Sequence, residues 1–378
     1  MISSETINKS NLNLHCGKIE NYKRNAYGIS GKTENAYFRI SVVQKGIFKI
    51  HLSRFEEFDE YSYAVISKPV GIDFSIIDAN GHIELKTEAL TLEIKKNPFT
   101  AIFKDNDGKI INEDDHALGT SWLGEQVTTY KKLQESERFI GLGEKTGPLD
   151  RKGTGYQNWN TDHFGYPPDS DPLYCTTPFY IGIHNGLSYG IYLDNSHKTH
   201  FNFGASNRRF SSFSADQGDM AYYFIHEESI EEIISSYTDL TGRMELPPIW
   251  SLGYQQCRYS YKPDKEVLSI AKFFREKEIP ADVIVLDIHH MEQYKIFTWD
   301  GKDFPNPKQM IDKLEEMGFK VVVICDPGIK IEEGYDAYDS GKKEDVFIKY
   351  PDGEYYEGEV WPGWCHFPDF TRPTASTW

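Results

Sequence analysis

The chain has 378 residues, of which 39% are hydrophobic and 26% are charged, so its composition is that of a globular protein and excludes wholesale disorder. Its net charge of −17, without an outstanding Lys/Arg cluster, excludes nucleic acid and anionic membrane surfaces as partners and favours a neutral substrate. The length suffices for two or three domains. Aromatic residues reach 14%, which fits packing on sugar rings and a β-rich core equally well.

Residues 1–246 predict an N-terminal β-sandwich. Apolar and polar residues alternate at Leu90–Ile94, and Asn106-Asp107-Gly108 between two apolar runs is a hairpin signal. Similar short β-like runs, separated by Gly, Asn and Asp, occur at Tyr37–Val43, Ile47–Leu52, Thr177–Ile183, Tyr189–Leu193 and Met220–Ile225. Many short strands with turn residues between them favour a sandwich over a parallel sheet.

Residues 247–378 alternate strand-like and helical patterns. The order is the apolar run Ile249–Tyr254, helical spacing in Asp264–Lys277, the run Asp282–Leu286, helical spacing in Lys308–Met317, and the run Lys320–Cys325. The last two strand-like runs are of the kind that is buried on both faces. This order predicts parallel strands that are joined by helices.

The second region favours a (β/α)8 TIM barrel over an open dinucleotide-binding sheet. No G-x-G-x-x-G follows its first strand, and its later strands end in acids, Asp287 and Asp326, where a barrel places its active site. The region holds about half of the roughly 250 residues of a full barrel. We therefore expect the first three barrel strands only, with the missing part supplied by a continuation of the chain, and the oligomeric state stays open.

The cysteines and histidines predict neither a metal site nor a cofactor. The five cysteines are spread thinly without a C-x-x-C pair, and Cys257 and Cys325, in or beside apolar runs, are expected to be buried thiols. His289-His290 follows Asp287, but adjacent residues of an extended segment point to opposite sides, which disfavours a shared ion. We expect loop histidines that donate hydrogen bonds.

The N-terminal segment, residues 1–18, lacks the apolar region of a signal peptide, and no stretch resembles a transmembrane span. We expect a cytoplasmic protein, or a periplasmic or secreted one if a signal peptide has been removed.

Asp287 and Asp326 have three interpretations from spacing alone. Adjacent strands lie about 4.8 Å apart, and retaining glycosidases hold two carboxyl groups about 5–5.5 Å apart, so the acids could be a catalytic pair. Alternatively, each acid caps a loop or pairs with a Lys or Arg. In the third interpretation both carboxylates bind sugar hydroxyls.

Several segments resemble motifs of glycoside hydrolase family 31 and occur in the family's order. They are Phe139–Glu144 (F-x-G-L-G-E), Trp159–Asp162 (W-N-x-D), Pro247–Tyr261, Ala281–Ile288, Phe297–Asp300, Phe304-Pro305, Val323–Lys330, Val360–Gly363 and Phe367–Thr371. The resemblance covers roughly residues 80–378. It implies a galactose-mutarotase-like sandwich, the start of the catalytic barrel and a retaining α-glycosidase without a cofactor.

The resemblance also implies roles for individual residues. Asp287 and Asp326 would bind hydroxyls of the sugar at the cleaved bond, Trp361 would wall that subsite, and Tyr259 and Ile324 would line it. Asp162 would reach from the sandwich toward the leaving-group sugar. The family's nucleophile lies in a W-x-D-M-N-E-like motif on the fourth strand, and its acid/base lies further on. Neither motif occurs here, so we assign no catalytic residue in this chain and expect this segment alone to be inactive.

The family resemblance leaves the sugar and the reaction open. His290 replaces a common Tyr, and Glu292-Gln293 stands where Asp/Glu-Gly is frequent. An α-glucosidase acting on oligosaccharides is the expectation, with an α-galactosidase, an α-xylosidase or an α-transglucosylase as alternatives. A non-catalytic carbohydrate-binding fragment is the alternative from another functional class.

Overall fold

The computed structural model describes residues 13–68 and 71–378, which form two compact units. The first unit ends at Met244 and the second spans Glu245–Trp378. Most of the N-terminal segment that bears on localisation, residues 1–12, lies outside the described residues. Within the described part of the chain, no helix is long and apolar enough to cross a membrane.

The described residues of the first unit form β-strands and a C-terminal helix. In chain order they are β1 (Asn13–His15), β2 (Ile19–Asn25), β3 (Gly28–Thr33), β4 (Tyr37–Gln44), β5 (Ile47–Ser53), β6 (Ser75–Ala79), β7 (His82–Lys86), β8 (Thr91–Lys96), β9 (Phe99–Lys104), β10 (Ile110–Glu113), β11 (Thr120–Leu123), β12 (Gln126–Lys132), β13 (Arg138–Gly143), β14 (Gly155–Asn158), β15 (Thr176–His184), β16 (Leu187–Leu193), β17 (Thr199–Asn202), β18 (Phe210–Ala215), β19 (Met220–Ile225) and α1 (Ile230–Thr241).

These strands form antiparallel sheets around an aromatic core, which confirms the predicted β-sandwich. The sheet orders are β13-β15-β16-β19-β5-β4-β3-β2, β1-β11-β12-β18-β17-β14 and β10-β9-β8-β7-β6. In the core, the ring of Phe103 stacks on Phe224 with 3.7 Å between centroids, and Phe139 stacks on Phe203 at 4.5 Å. Strands β9 and β10 form the hairpin predicted at Asn106-Asp107-Gly108.

The strand pattern does not predict helix α1. Its start carries a capping box, in which the Ser229 side chain accepts from the Glu232 backbone N–H and the Glu232 carboxylate accepts from the Ser229 N–H. Ile233 and Leu240 are its buried residues. The capping box is therefore the local signal that identifies this helix in the sequence.

The glycines of the F-x-G-L-G-E motif are required by a bulge in β13. Its pairing with β15 is irregular between Gly141 and Gly143, which have φ angles of 127° and 76°. A Cβ atom on Gly141 would lie 2.6 Å from the carbonyl oxygen of Phe179, and one on Gly143 would lie 2.8 Å from the backbone nitrogen of Thr177. Both the backbone conformation and the close approach therefore favour glycine.

The second unit alternates strands and helices and also contains short 3₁₀ helices. In chain order they are a 3₁₀ helix (Ile249–Leu252), β20 (Gln255–Gln256), α2 (Asp264–Glu276), β21 (Val283–Leu286), 3₁₀ helices (Ile288–His290 and Glu292–Tyr294), α3 (Pro307–Glu316), β22 (Lys320–Val323), β23 (Ile329–Lys330), α4 (Asp336–Lys343), β24 (Gly358–Val360), β25 (Gly363–His366) and α5 (Pro373–Thr377).

Strands β20, β21 and β22 form an open parallel sheet, which confirms the predicted start of a TIM barrel. The register pairs Gln256 with Ile284 and Leu286 with Val323. Helices α2 and α3 contribute Val267, Ala271, Met310 and Leu314 to a core that also contains Ile284 and Leu286. Each helix buries its apolar stripe, as the helical spacing predicts.

Two strand predictions in this unit are wrong in detail. The apolar run Ile249–Tyr254 begins with a 3₁₀ helix, in which the Ser251 backbone N–H and hydroxyl both donate to the carbonyl oxygen of Pro248. This local bonding competes with a β-ladder, and the strand begins only at Gln255. Lys320–Cys325 is not buried on both faces, because β22 lies at the edge of the sheet, where Val323 is 41% exposed.

Candidate functional site

Asp287 and Asp326 lie at the carboxyl ends of neighbouring parallel strands, as their spacing predicts. The ladder between β21 and β22 extends one step beyond the strands, because the Ile324 N–H donates to the Leu286 carbonyl oxygen at 3.2 Å. Asp287 follows Leu286 directly, and Asp326 comes two residues after Ile324. Both acids are half-buried. The two carboxylates therefore belong to one end of the sheet.

The charges at this end interact. Burial, followed by the negative charge of Asp287, raises the pKa of the Asp326 carboxyl. Partial desolvation and the same Asp287 charge raise the pKa of the Cys257 thiol, and partial desolvation and the Asp326 charge raise that of Cys325. The site thus combines carboxylates that repel each other with thiols that stay protonated. Hydroxyl donors would stabilise such carboxylates by hydrogen bonding.

The prediction that Cys257 and Cys325 are buried is wrong, because both are exposed. Each cysteine follows the end of a short strand, β20 or β22, where side chains leave the packed part of the sheet. A cysteine acts as a nucleophile through its thiolate, and a raised pKa disfavours that form. These thiols are therefore poor candidates for covalent catalysis.

Tyr259 and Trp361 belong to a cluster of aromatic rings beside these strand ends. Their centroids lie 6.3 Å apart, and His289 lies 5.1 Å from Tyr259. Tyr294 closes the cluster, at 5.4 Å from His289 and 6.5 Å from Trp361. Trp361 lies at the turn of the antiparallel hairpin of β24 and β25, where Val360 pairs with Gly363. The hairpin therefore presents the indole to the loop that follows β21.

An open depression of about 450 Å³ adjoins this cluster. Its lining combines aromatic, basic and polar side chains, namely Lys262, His289, Met291, Gln293, Tyr294, Asp300, Lys330, Trp361 and Pro362. Of the residues predicted from the sequence, the lining includes Trp361 alone. Ile324 is half-buried and packs against a core cluster that contains Ile288 and Met291. The structure therefore brings four of the predicted residues to one region, namely Asp287, Asp326, Tyr259 and Trp361. Part of the Ile324 side chain packs against the core, so only the rest of it could contact a ligand.

His289 and Tyr294 are members of this cluster that the sequence prediction misses. The Nδ1 atom of His289 lies 2.7 Å from the Ser260 hydroxyl. Tyr294 has a positive φ of 62°, next to Gln293 with a φ of 47°. The His-His pair was the available signal for His289, whereas no sequence pattern indicates the left-handed backbone that orients Tyr294.

The left-handed backbone at Gln293 falls where the family frequently has glycine. A side chain in this conformation is strained, and such strain tends to be concentrated at functional loops. The Gln293 amide oxygen accepts from the Lys330 ammonium at 3.2 Å, and Lys330 also pairs with Glu332 at 2.8 Å. The loop after β21 is thereby fastened to β23 at the edge of the depression.

The two adjacent histidines have different partners, although the reason differs from the predicted one. Residues Ile288–His290 form a 3₁₀ helix and are not extended, so the predicted alternation does not apply. His290 is buried, donates through Nδ1 to the Asp287 carbonyl oxygen at 3.0 Å and packs edge-on against Trp299. His290 therefore supports the backbone that carries Asp287.

Metal-ligand geometry occurs at a different place from the histidine pair. Among the described residues, one group brings possible ligand atoms within 4.8 Å of one another, and it consists of His82, Glu84 and Glu93. Glu93 already pairs with Lys95 at 2.6 Å and Lys104 at 2.5 Å. These ammonium groups satisfy the carboxylate and compete with a cation.

We expect the buried His290 to make the protein less stable in acid. Burial lowers the pKa of its imidazole, so the folded state disfavours the protonated ring. The free energy of unfolding should therefore fall as the pH drops below about 6.5, the pKa of an unfolded histidine. Urea titrations at several pH values, on the wild type and on His290→Phe, measure this effect. The variant should lose part of the acid dependence, and an unchanged dependence would contradict the assignment.

Asp162 belongs to the first unit. It lies on the exposed loop that follows β14 and includes Trp159. Partial desolvation, followed by the nearby negative charge of Asp162, raises the pKa of the Tyr174 phenol. The W-N-x-D segment is therefore a surface loop of the sandwich, which leaves the Asp162 carboxylate accessible to a ligand.

Comparison with known families gives matches in both units. The profile of the glycosyl hydrolases family 31 TIM-barrel domain matches residues 244–378. The profile of the glycosyl hydrolase 31 N-terminal galactose mutarotase-like domain matches residues 37–202.

Individual relatives support both matches. The chain is 38% identical over 368 residues to alpha-glucosidase 2 of Bacillus thermoamyloliquefaciens, which covers 97% of this chain and 46% of that protein. It is 34% identical over 255 residues to an alpha-glucosidase of Saccharolobus solfataricus, covering 68% of this chain and 36% of the relative. A Flavobacterium johnsoniae GH31 dextranase, solved with isomaltotriose, superposes with a TM-score of 0.87 at 32% identity, over 97% of this chain and 45% of that one.

The chain thus spans less than half of the length of these relatives. The similarity nevertheless extends across both units. From the two domain profiles and the relatives, we conclude that the chain belongs to glycoside hydrolase family 31.

Proposed function

We propose that the whole protein is a retaining glycosidase that cleaves α-glycosidic bonds of oligosaccharides, with glucose as the sugar at the cleaved bond. One observation carries this proposal: Asp287 and Asp326 follow adjacent parallel strands, and their charges interact. The similarity to proteins named as alpha-glucosidases and to a dextranase supports this substrate class. In this role Asp287 and Asp326 accept hydrogen bonds from sugar hydroxyls, and Asp162 serves the neighbouring sugar.

The aromatic side chains suit the apolar face of a sugar ring. Tyr259 is 61% exposed and Trp361 is 59% exposed, so both present ring surface to a ligand. Large exposed aromatic rings that are grouped together indicate a binding surface. The carboxylates would then bind the edge of a pyranose whose C–H face packs on the rings.

In this proposal the catalytic carboxylates come from later barrel strands, as the family's motifs imply. Retention requires a nucleophilic carboxylate and a carboxylic acid that later acts as a base. Asp287 and Asp326 have neither role in the proposal. They hold the sugar while groups from later strands perform the chemistry, so this segment alone is proposed to be inactive.

An activity panel on the whole protein tests the proposal. We expect hydrolysis of nitrophenyl α-glucoside to exceed that of the α-galactoside and the α-xyloside, with the α-anomer of glucose as the first product by NMR. Initial release of the β-anomer would contradict retention. Preference for another sugar would contradict the proposal that glucose is the sugar at the cleaved bond.

The same panel separates the remaining alternatives. Products that are elongated after addition of an acceptor sugar would identify a transglycosylase, which shares the covalent intermediate with a hydrolase. Binding of maltotriose without turnover of any glycoside would identify a carbohydrate-binding protein and overturn the catalytic proposal.

A further inference from the structure

A second cavity lies wholly within the first unit, and its volume is about 380 Å³. It is bounded by the loop after β5, by residues around Asn158 at the end of β14 and by the segment after β16. Its volume falls within the range of small-molecule sites, about 300–1,000 Å³. Asp162 is not among the described residues that line it.

The rim of this cavity carries exposed aromatic rings. Tyr61 is 70% exposed, Tyr63 is 75% exposed and Trp159 is 49% exposed. Tyr61 and Tyr63 pack edge to face at 4.7 Å between centroids, so each ring supports the other at the surface. Rings that are ordered but not buried are features of a binding surface.

A residue that borders the cavity has a buried amide without a partner. Asn158 is 5% exposed, and neither its amide nitrogen nor its amide oxygen has a hydrogen-bond partner among the described residues. Buried polar groups are nearly always hydrogen-bonded, because an unsatisfied one destabilises the fold. An amide offers both a donor and an acceptor, so rotation of this side chain toward the cavity would let it bind a ligand hydroxyl in either role.

Two carboxylates of the lining are held in fixed positions by neighbouring side chains. The Asp194 carboxylate accepts from the Ser62 hydroxyl at 2.6 Å and lies 3.7 Å from the Lys49 ammonium. The Asp219 carboxylate accepts from the His51 ring at 2.9 Å. Fixed carboxylates repel an anionic ligand and favour a neutral ligand with many hydroxyl groups.

We propose that this cavity is a second carbohydrate-binding site, which takes a neutral pyranose unit separately from the strand-end carboxylates. The rings of Tyr61 and Trp159 would pack on the C–H face of the sugar, while Asn158 and Asp194 bind its hydroxyls. The sugar class rests on the proposed function, whereas the site itself rests on the cavity, the exposed rings and the unpartnered amide.

The test uses the whole protein with both Asp287→Ala and Asp326→Ala, so that the strand-end site is disabled. Isothermal titration with maltotriose and isomaltotriose should still show one binding event. Adding Tyr61→Ala or Asn158→Leu should weaken this binding by about tenfold or more, equivalent to about 1.4 kcal/mol. Tyr27→Ala, which removes an exposed tyrosine elsewhere in the sandwich, is the matched control and should bind normally.

Thermal unfolding of Asn158→Leu without sugar gives an independent readout. Leucine has a similar shape but no polar atoms, so its melting temperature should equal or exceed that of the parent. If this variant fails to fold, the sugar affinity of Tyr61→Ala alone tests the inference, because Tyr61 is exposed and its replacement should not affect folding.

Absence of sugar binding in the strand-end double variant would overturn the inference. Normal affinity in Tyr61→Ala, or in a folded Asn158→Leu, would overturn it as well. Turnover of an α-glucoside by the wild type is measured separately, so the proposed function can stand while this inference fails.

Discussion

Replacement of Asp287 by alanine in the whole protein is expected to lower kcat/KM for an α-glucoside by about two decades or more. The loss corresponds to a charged hydrogen bond to the sugar at the cleaved bond. Steady-state kinetics with nitrophenyl α-glucoside measure it. Near-normal activity would contradict the proposal that Asp287 binds the sugar at the cleaved bond.

Two further variants separate binding from local structure. The Asp287 carboxylate also accepts from the Ile288 N–H at 2.7 Å, and asparagine preserves such a cap while it removes the charge. Asp287→Asn should therefore remain folded and still lose most of its activity. Asp312→Ala is the matched control, because this acid lies on helix α3 and pairs with Lys308 at the surface. It should retain normal kcat/KM.

Removal of Asp114 is expected to destabilise the sandwich by about 3–5 kcal/mol, because it leaves a buried charge without its partner. The Lys131 ammonium is fully buried and lies 2.6 Å from the Asp114 carboxylate and 3.1 Å from the Tyr222 hydroxyl. Asp114 also accepts from the Ala101 N–H at 2.7 Å. Urea unfolding of Asp114→Ala, compared with the wild type, measures the loss of free energy.

The control for this buried ion pair is an ion pair at the surface, formed by Lys308 and Asp312. Lys308→Ala removes a surface partner of Asp312 and should leave the free energy of unfolding unchanged within error. A loss below about 1 kcal/mol for Asp114→Ala would contradict the assignment of an uncompensated buried charge. The double replacement Lys131→Met with Asp114→Leu should recover much of the stability, because neither charge of this pair then remains in the core.

The strands and the ends of the sheet could be predicted because their signals are local. Alternation at Leu90–Ile94 and the turn residues at Asn106–Gly108 correspond to β8 and the β9–β10 hairpin. Two successive apolar runs that end in acids are sufficient to place Asp287 and Asp326 at one end of a parallel sheet. No contact between distant segments is needed for this inference.

The remaining features depend on contacts that a linear pattern does not contain. Ile249–Leu252 is apolar like a strand, yet a local hydrogen bond from Ser251 makes it helical. Tyr294 joins the aromatic cluster through a left-handed backbone that glycine would adopt more readily. The cavity beside Asn158 draws its walls from several distant segments, so no single stretch of sequence indicates it. The binding roles of the predicted site residues stay predictions, namely those of Asp162, Tyr259, Asp287, Ile324, Asp326 and Trp361.

The most direct measurement is a crystal structure of the whole protein with glucose bound. The account predicts that the carboxylates of Asp287 and Asp326 both lie within about 2.6–3.2 Å of hydroxyls on one sugar ring. It also predicts that the ring contacts Trp361. A bound sugar that contacts neither carboxylate, or carboxylates that face separate clefts, would contradict it.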